Sequence, residues 1–283
     1  MTGRSAPRGA QLASLRGFVF DVDGTLVLGD RGGGGYELLP GAVAVLDALK
    51  ARAIPYVLFT NGSAHPPCVQ APRLRAVGLA VDDAQMLTPS VVAADYLARK
   101  RTRRVLVLGS PGVGQPLAEN GIETVMPGGP ANGIDAVYVG WHPDCTMAHI
   151  EAACHAIWAG AKLYIASDVP FFATRSGRTI GYSHAIVAAI RSLTRARATV
   201  LGKPSVHALR FCARRLGVPM SEIAVVGDDP KLEIAMARRG GAAAFGVATG
   251  LTKTGDWNAL PPARRPDRVF ATVGELLDAG MLG

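Results

Sequence analysis

Two carboxylates one residue apart, Asp21 and Asp23, follow an unbroken apolar stretch, Phe18-Val19-Phe20, and precede Gly24-Thr25-Leu26. The apolar run reads as a strand buried on both faces. Open α/β sheets build their sites beyond the carboxyl ends of such strands. In an extended backbone the two acidic side chains leave on opposite faces, so one carboxylate and one main-chain carbonyl can meet a shared centre. That all-oxygen donor set suits a hard cation such as Mg²⁺. Asp-x-Asp-Gly also opens turns and calcium loops. A calcium loop continues with acids or amides at alternate positions and closes on Glu, whereas Thr25, Leu26 and Val27 follow here.

Asp21-Val22-Asp23-Gly24-Thr25-Leu26 after a buried strand resembles the first motif of the haloacid-dehalogenase-like (HAD) phosphatase superfamily. The resemblance implies three further motifs at later strand ends, and each has a match in the required order. The second is a hydroxyl, Thr60 in Leu58-Phe59-Thr60-Asn61-Gly62. The third is a lysine, Lys203 in Leu201-Gly202-Lys203-Pro204. The fourth is an acid pair, Asp228-Asp229 after Val225-Val226-Gly227. Taken singly, these also read as a turn, a loop with a solvated lysine, and a helix N-cap. The joint signal is their order and their common place at strand ends.

The chemistry implied by the resemblance needs these residue types. Asp21 attacks a phosphomonoester and forms an aspartyl-phosphate. Asp23 protonates the leaving alcohol and then activates water. Two unit charges ~4 Å apart repel by roughly 4 kcal/mol at an effective dielectric of 20, so attack on a dianion requires cations. Mg²⁺ held by Asp21, the Asp23 carbonyl and Asp228 supplies one, and Lys203 the other. The Thr60 hydroxyl and main-chain N–H groups around Asn61 and Gly62 bind the remaining phosphoryl oxygens. The same motifs serve phosphotransferases and mutases, which exclude water from the intermediate. A binding module on the same fold is a third expectation, suggested by the altered fourth motif.

Around these motifs, apolar strand-like runs alternate with helical patterns from Phe18 to the final segment Val273–Ala279. The expectation is an α/β fold: a Rossmann-like, doubly wound parallel sheet. Pro40-Gly41 opens a helix with Val43, Leu46 and Leu49 on its buried stripe. Gly29-Asp30-Arg31-Gly32-Gly33-Gly34-Gly35 reads as a flexible loop beside the acids. Far more residues separate Thr60 from Lys203 than the roughly 12 a crossover needs, and they carry their own strands and helices. The expected organisation is a mobile tail at 1–15, a core at 16–82 and 198–283, and an inserted α/β cap at 83–197.

An insertion at that place resembles the class IIA members with their class II cap, a group including N-acetylglucosamine-operon, pyridoxal phosphate, phosphoglycolate and glycerol-3-phosphate phosphatases. The implied substrate is a small phosphorylated metabolite, with Asp168, Arg175 and Tyr182 as cap residues that could contact it. The resemblance also allows a homodimer through the cap. The sequence departs from the group at Gly62, where Asn is usual, and at Leu232 and Glu233, where Thr and Asp are usual; Lys231 adds a cation. His142, Cys145 and His149 match no common zinc spacing and read as polar residues at a helix start.

Composition narrows the classes. The chain has 283 residues and is 49% apolar, enough for a large core. Its net charge of +8 comes with only 6% aromatic residues and no interleaving of aromatic with basic residues. The charge therefore reads as solubility and attraction of small anions, not as nucleic-acid binding. Four unpaired-looking cysteines suit a reducing cytosol, and neither a signal peptide nor a membrane span is visible, so the expected place is cytoplasmic.

Overall fold

The computed structural model describes residues 15–29, 35–129, 132–174 and 177–281. Residues 1–14 of the expected tail, 30–34 of the glycine loop, and Arg175 lie outside the described residues. In chain order the first elements are β1 (Gly17–Phe20), β2 (Val27–Gly29), β3 (Tyr36–Leu38), α1 (Ala42–Ala51), β4 (Tyr56–Phe59), α2 (Pro67–Ala76) and β5 (Met86–Leu87). Next come α3 (Pro89–Arg99), β6 (Arg104–Leu108), α4 (Pro111–Glu119), β7 (Glu123–Val125), β8 (Ala136–Val139), α5 (Met147–Trp158) and β9 (Lys162–Ile165). They are followed by β10 (Phe171–Thr174), β11 (Gly177–Ile180), α6 (Tyr182–Thr194), β12 (Ala198–Val200) and α7 (Val206–Leu216). The chain closes with β13 (Ile223–Gly227), α8 (Glu233–Gly240), β14 (Ala243–Val247), α9 (Thr254–Ala259), β15 (Arg268–Phe270) and α10 (Glu275–Asp278).

By contact the chain forms two units, Met1–Thr60 with Gln70–Met86 and Leu209–Gly283, and Asn61–Val69 with Leu87–Ala208. Unit one holds a six-stranded sheet in the order β15-β14-β13-β1-β4-β5. Pairing is parallel from β15 through β4. Parallel strands covered on both faces read as continuous apolar runs. Each residue of β1, β4, β13 and β14 is accordingly buried. After β1 the chain builds outward on one side with β4, then returns to the other with β13, β14 and β15. The order thus reverses beside β1, the switch point at which such sheets bind ligands.

Helix α1 buries Ala42, Val45, Leu46 and Leu49. Leu46 and Leu49 hold the expected stripe, while Val45 is buried beside them and Val43 is only partly buried. Leu15, assigned to the tail by the sequence, packs in this same core. Val273–Ala279 shortens to the single turn of α10.

Unit two holds a separate five-stranded parallel sheet, β12-β9-β8-β6-β7. Its core includes Leu106, Leu108, Val137, Val139, Leu163 and Ile165. Helix α6 covers this core with Ser183, Ile186, Val187 and Ile190, the spacing of one helical face. No helix among the described residues is long and apolar enough to cross a membrane.

Candidate active site

Register alone brings three of the expected site residues of unit one to neighbouring strand ends. Phe20 pairs with Val226 on one side and Leu58 on the other. Asp21 is the next residue on β1, and its N–H donates to Val226 O at 2.9 Å. Asp228 lies two residues past Val226, and Thr60 two past Leu58. All three side chains are buried: Asp21 is 6% exposed, Thr60 5% and Asp228 4%. Burying carboxylates side by side is costly unless charge or hydrogen bonds compensate.

Each acid has a distinct setting. The Thr25 hydroxyl donates to Asp21 Oδ2 at 3.3 Å. The Leu251 N–H donates to Asp228 Oδ2 at 2.7 Å. Two glycines pack directly on the Asp228 carboxylate. A Cβ on Gly24 would lie 2.5 Å from Asp228 Oδ2, and one on Gly250 would overlap it. Gly24 also has φ +86, a backbone that favours glycine. The Thr249 hydroxyl donates to Gly24 O at 2.6 Å and ties the loop after β14 to the acid turn.

Asp23 is exposed, on a tight turn closed by Gly24 N–H to Val27 O at 2.8 Å and Leu26 N–H to Val22 O at 3.0 Å. The antiparallel β2–β3 ribbon grows out of that turn. It presents Gly29 to Asp23, where a Cβ would approach Asp23 Oδ1 to 2.9 Å. Tyr36 of β3 packs there too: burial raises its phenol pKa, the Asp23 charge raises it further, and Arg73 opposes. The ribbon therefore positions Asp23. The sequence reading passed over it because its strands are three residues long and flank a glycine run.

Glu233, a departure from the family pattern, is 1% exposed. Its Oε2 accepts the Asp229 N–H at 3.1 Å. Gly227 makes room, since a Cβ there would overlap the Glu233 side chain. The acid thus holds the turn that carries Asp228, with one more methylene than the usual Asp. Glu233, Thr249, Gly250 and Leu251 are supporting residues missed as site residues from sequence. For Thr249, Gly250 and Leu251 the available signal was their place just past buried β14.

In unit two, Asn61 clamps the Lys203 main chain. Its Oδ1 accepts Lys203 N–H at 2.8 Å and its Nδ2 donates to Lys203 O at 3.0 Å. Gly202 lies against Ala166 O and Asn61 Oδ1, with no space for a Cβ. The lysine is 2% exposed. Asn61 is the residue that follows Thr60 in the chain.

Of the expected cap residues, Asp168 is exposed and its Oδ1 lies 2.8 Å from His184 Nδ1. Tyr182 is half-buried, with its ring edge-on to Trp141 at 5.7 Å.

A buried acid pair thus sits at the switch point of a doubly wound parallel sheet. Residues 18–123 match the family model of haloacid dehalogenase-like hydrolases, and residues 200–276 match a HAD-hydrolase-like model. The chain belongs to that family, within its class IIA phosphatases, and is a phosphoric monoester hydrolase. It is 28% identical over 243 residues to the 5'-nucleotidase YutF of Bacillus subtilis, covering 86% of this chain and 90% of that protein. The structure of a 4-nitrophenylphosphatase from Thermotoga maritima matches with a TM-score of 0.84 at 26% identity, covering 95% of this chain and 98% of that one. A glycerol phosphate phosphatase of Mycobacterium tuberculosis, solved in complex with calcium, matches with a TM-score of 0.80 at 25% identity over 94% of this chain and 76% of that one.

Proposed function

We propose that the chain is a Mg²⁺-dependent phosphatase that hydrolyses a small phosphorylated metabolite of the sugar, glycerol, glycolate or pyridoxal phosphate type. The observation that carries this reading is the burial of Asp21 and Asp228 at adjacent strand ends, with Gly24 and Gly250 shaped around one carboxylate. The donor set is oxygen only, which fits Mg²⁺ held by Asp21, the Asp23 carbonyl and Asp228. When bound, the ion offsets negative charge and polarises phosphoryl oxygens.

The protein's own groups carry the two steps. An Asp21 carboxylate oxygen forms a bond to phosphorus while the bond to the leaving oxygen breaks. The Asp23 carboxyl gives its proton to that oxygen. The Asp23 carboxylate then takes a proton from water as it attacks the aspartyl-phosphate, releasing phosphate and restoring Asp21. Lys203 supplies fixed positive charge for the phosphoryl oxygens, while Thr60 and the main chain at Asn61 and Gly62 donate to them. Substrate contacts from Asp168, Arg175 and Tyr182 belong to the same reading. So does a homodimer through the cap, which a monomer mass in light scattering would remove.

The test is p-nitrophenyl phosphate hydrolysis by chelator-treated protein. Phosphate release should be restored by Mg²⁺; equal rates without added metal would overturn the metal assignment. Asn61 offers a second test, because its side chain positions Lys203. Asn61→Ala should lower kcat about 10–100-fold, the cost of a misplaced charge, with a smaller change in KM. An unchanged kcat would remove the clamp from the account.

A further inference from the structure

The loop leading into α5 gathers three donor side chains, all in unit two, that no step above uses. His142 and Cys145 lie between β8 and α5, and His149 is on the first turn of α5. One donor atom from each lies within 4.8 Å of the other two, and all three side chains are partly buried. His142 Nε2 and His149 Nδ1 are 3.0 Å apart. Their rings are nearly parallel, at 8° with centroids 5.1 Å apart.

The helix start expected from sequence is present: Thr146 caps α5 in a capping box with His149. The box also fixes a tautomer. Thr146 N–H donates to His149 Nδ1 at 3.3 Å. A neutral ring accepting at Nδ1 carries its proton on Nε2, so Nδ1 holds the ring's lone pair, and an ion bound there would replace the Thr146 N–H as its partner. That nitrogen lies 3.0 Å from His142 Nε2.

The dimensions suit a tetrahedral ion. Metal–nitrogen bonds of ~2.0–2.1 Å and a metal–sulfur bond of ~2.3 Å place ligand atoms roughly 3.3–3.6 Å apart. The two nitrogens already lie within a few tenths of an ångström of that edge. Cys145 Sγ lies within 4.8 Å of both nitrogens.

We propose that His142, Cys145 and His149 bind one divalent transition-metal ion of the zinc class, with water completing the coordination. Two imidazoles and a thiolate select such an ion over Mg²⁺ or Ca²⁺. The site is therefore chemically separate from the all-oxygen set at β1 and β13. Burial, then the neighbouring His149, lower the His142 imidazole from its ordinary range against the pull of Asp144. Burial raises the Cys145 thiol from its ordinary range, and the thiol proton leaves when the sulfur binds an ion. Occupancy would tie residues 142–145 to the first turn of α5. The same loop begins with Trp141, whose N–H donates to Ser63 Oγ at 3.1 Å.

The test is a Co²⁺ titration of the 283-residue chain, stripped of transition metals, in saturating Mg²⁺. The expected result is one equivalent bound, with a thiolate-to-cobalt charge-transfer band and tetrahedral visible bands, both displaced by Zn²⁺. Cys145→Ser should remove the charge-transfer band, while Cys68→Ser, which alters an exposed thiol, should keep it. His142→Ala, outside the helix, should weaken affinity about 10–100-fold. Retained far-ultraviolet dichroism in each variant shows that the fold survives. No band in the unaltered protein, or a band that persists in Cys145→Ser, would overturn the proposal.

Discussion

Asp21→Asn is expected to lower phosphate release from p-nitrophenyl phosphate on the order of 10⁴-fold or more, the scale seen when a covalent nucleophile is removed. The substitution changes one atom. An amide oxygen can still accept from the Thr25 hydroxyl, and the buried strand end is undisturbed. What is lost is the nucleophile and its charge. Asp21 and Asp228 are both buried at neighbouring strand ends, so neutralising one relieves repulsion in the metal-free protein. The variant should therefore be inactive yet unfold at an equal or higher denaturant midpoint. Loss of activity through unfolding would show the opposite sign. Activity within tenfold of the unaltered chain would remove Asp21 as nucleophile.

The second large effect is expected at a residue with no functional group. Gly250→Ala places a methyl where the Asp228 carboxylate lies. Something must shift, and the three nearest atoms all belong to the buried Asp228 side chain. The carboxylate would move off the Leu251 N–H that now holds it at 2.7 Å. The Mg²⁺ concentration for half-maximal activity should rise about 10–100-fold, as when supporting contacts of a metal ligand are lost. Activity should recover partly at high Mg²⁺. An unchanged metal requirement, in a variant of unchanged stability, would separate Asp228 from the metal.

What the sequence made legible follows from where its signals come from. Runs such as Phe18-Val19-Phe20 and Ile223–Gly227 need no tertiary context to read as doubly buried strands, and the polar residues that end them mark the site. Thr146 likewise announces the start of α5. The β2–β3 ribbon was illegible because three-residue strands carry no period. Helix α4 was hidden by Pro111, Gly112, Gly114 and Pro116, which read locally as loop. It is held by Val113, which fits against Gly109 and Gly140 at spots where a Cβ on either would overlap it. Glu233 was recognised as a substitution, but its burial beneath Asp229 depends on Gly227, a neighbour known only from the fold. The cluster of His142, Cys145 and His149 was read by spacing, and spacing says nothing about a loop that folds two donors onto a helix end.

The central claim is a covalent bond between phosphorus and the acid at position 21. An acyl phosphate present during turnover is reduced by borohydride to an alcohol, which converts that aspartate to homoserine. Quenching steady-state p-nitrophenyl phosphate hydrolysis in this way, then sequencing peptides by mass spectrometry, should place homoserine at position 21. The label should depend on substrate and vanish in Asp21→Asn. Homoserine at another acid, or none while phosphate is being released, would contradict the account.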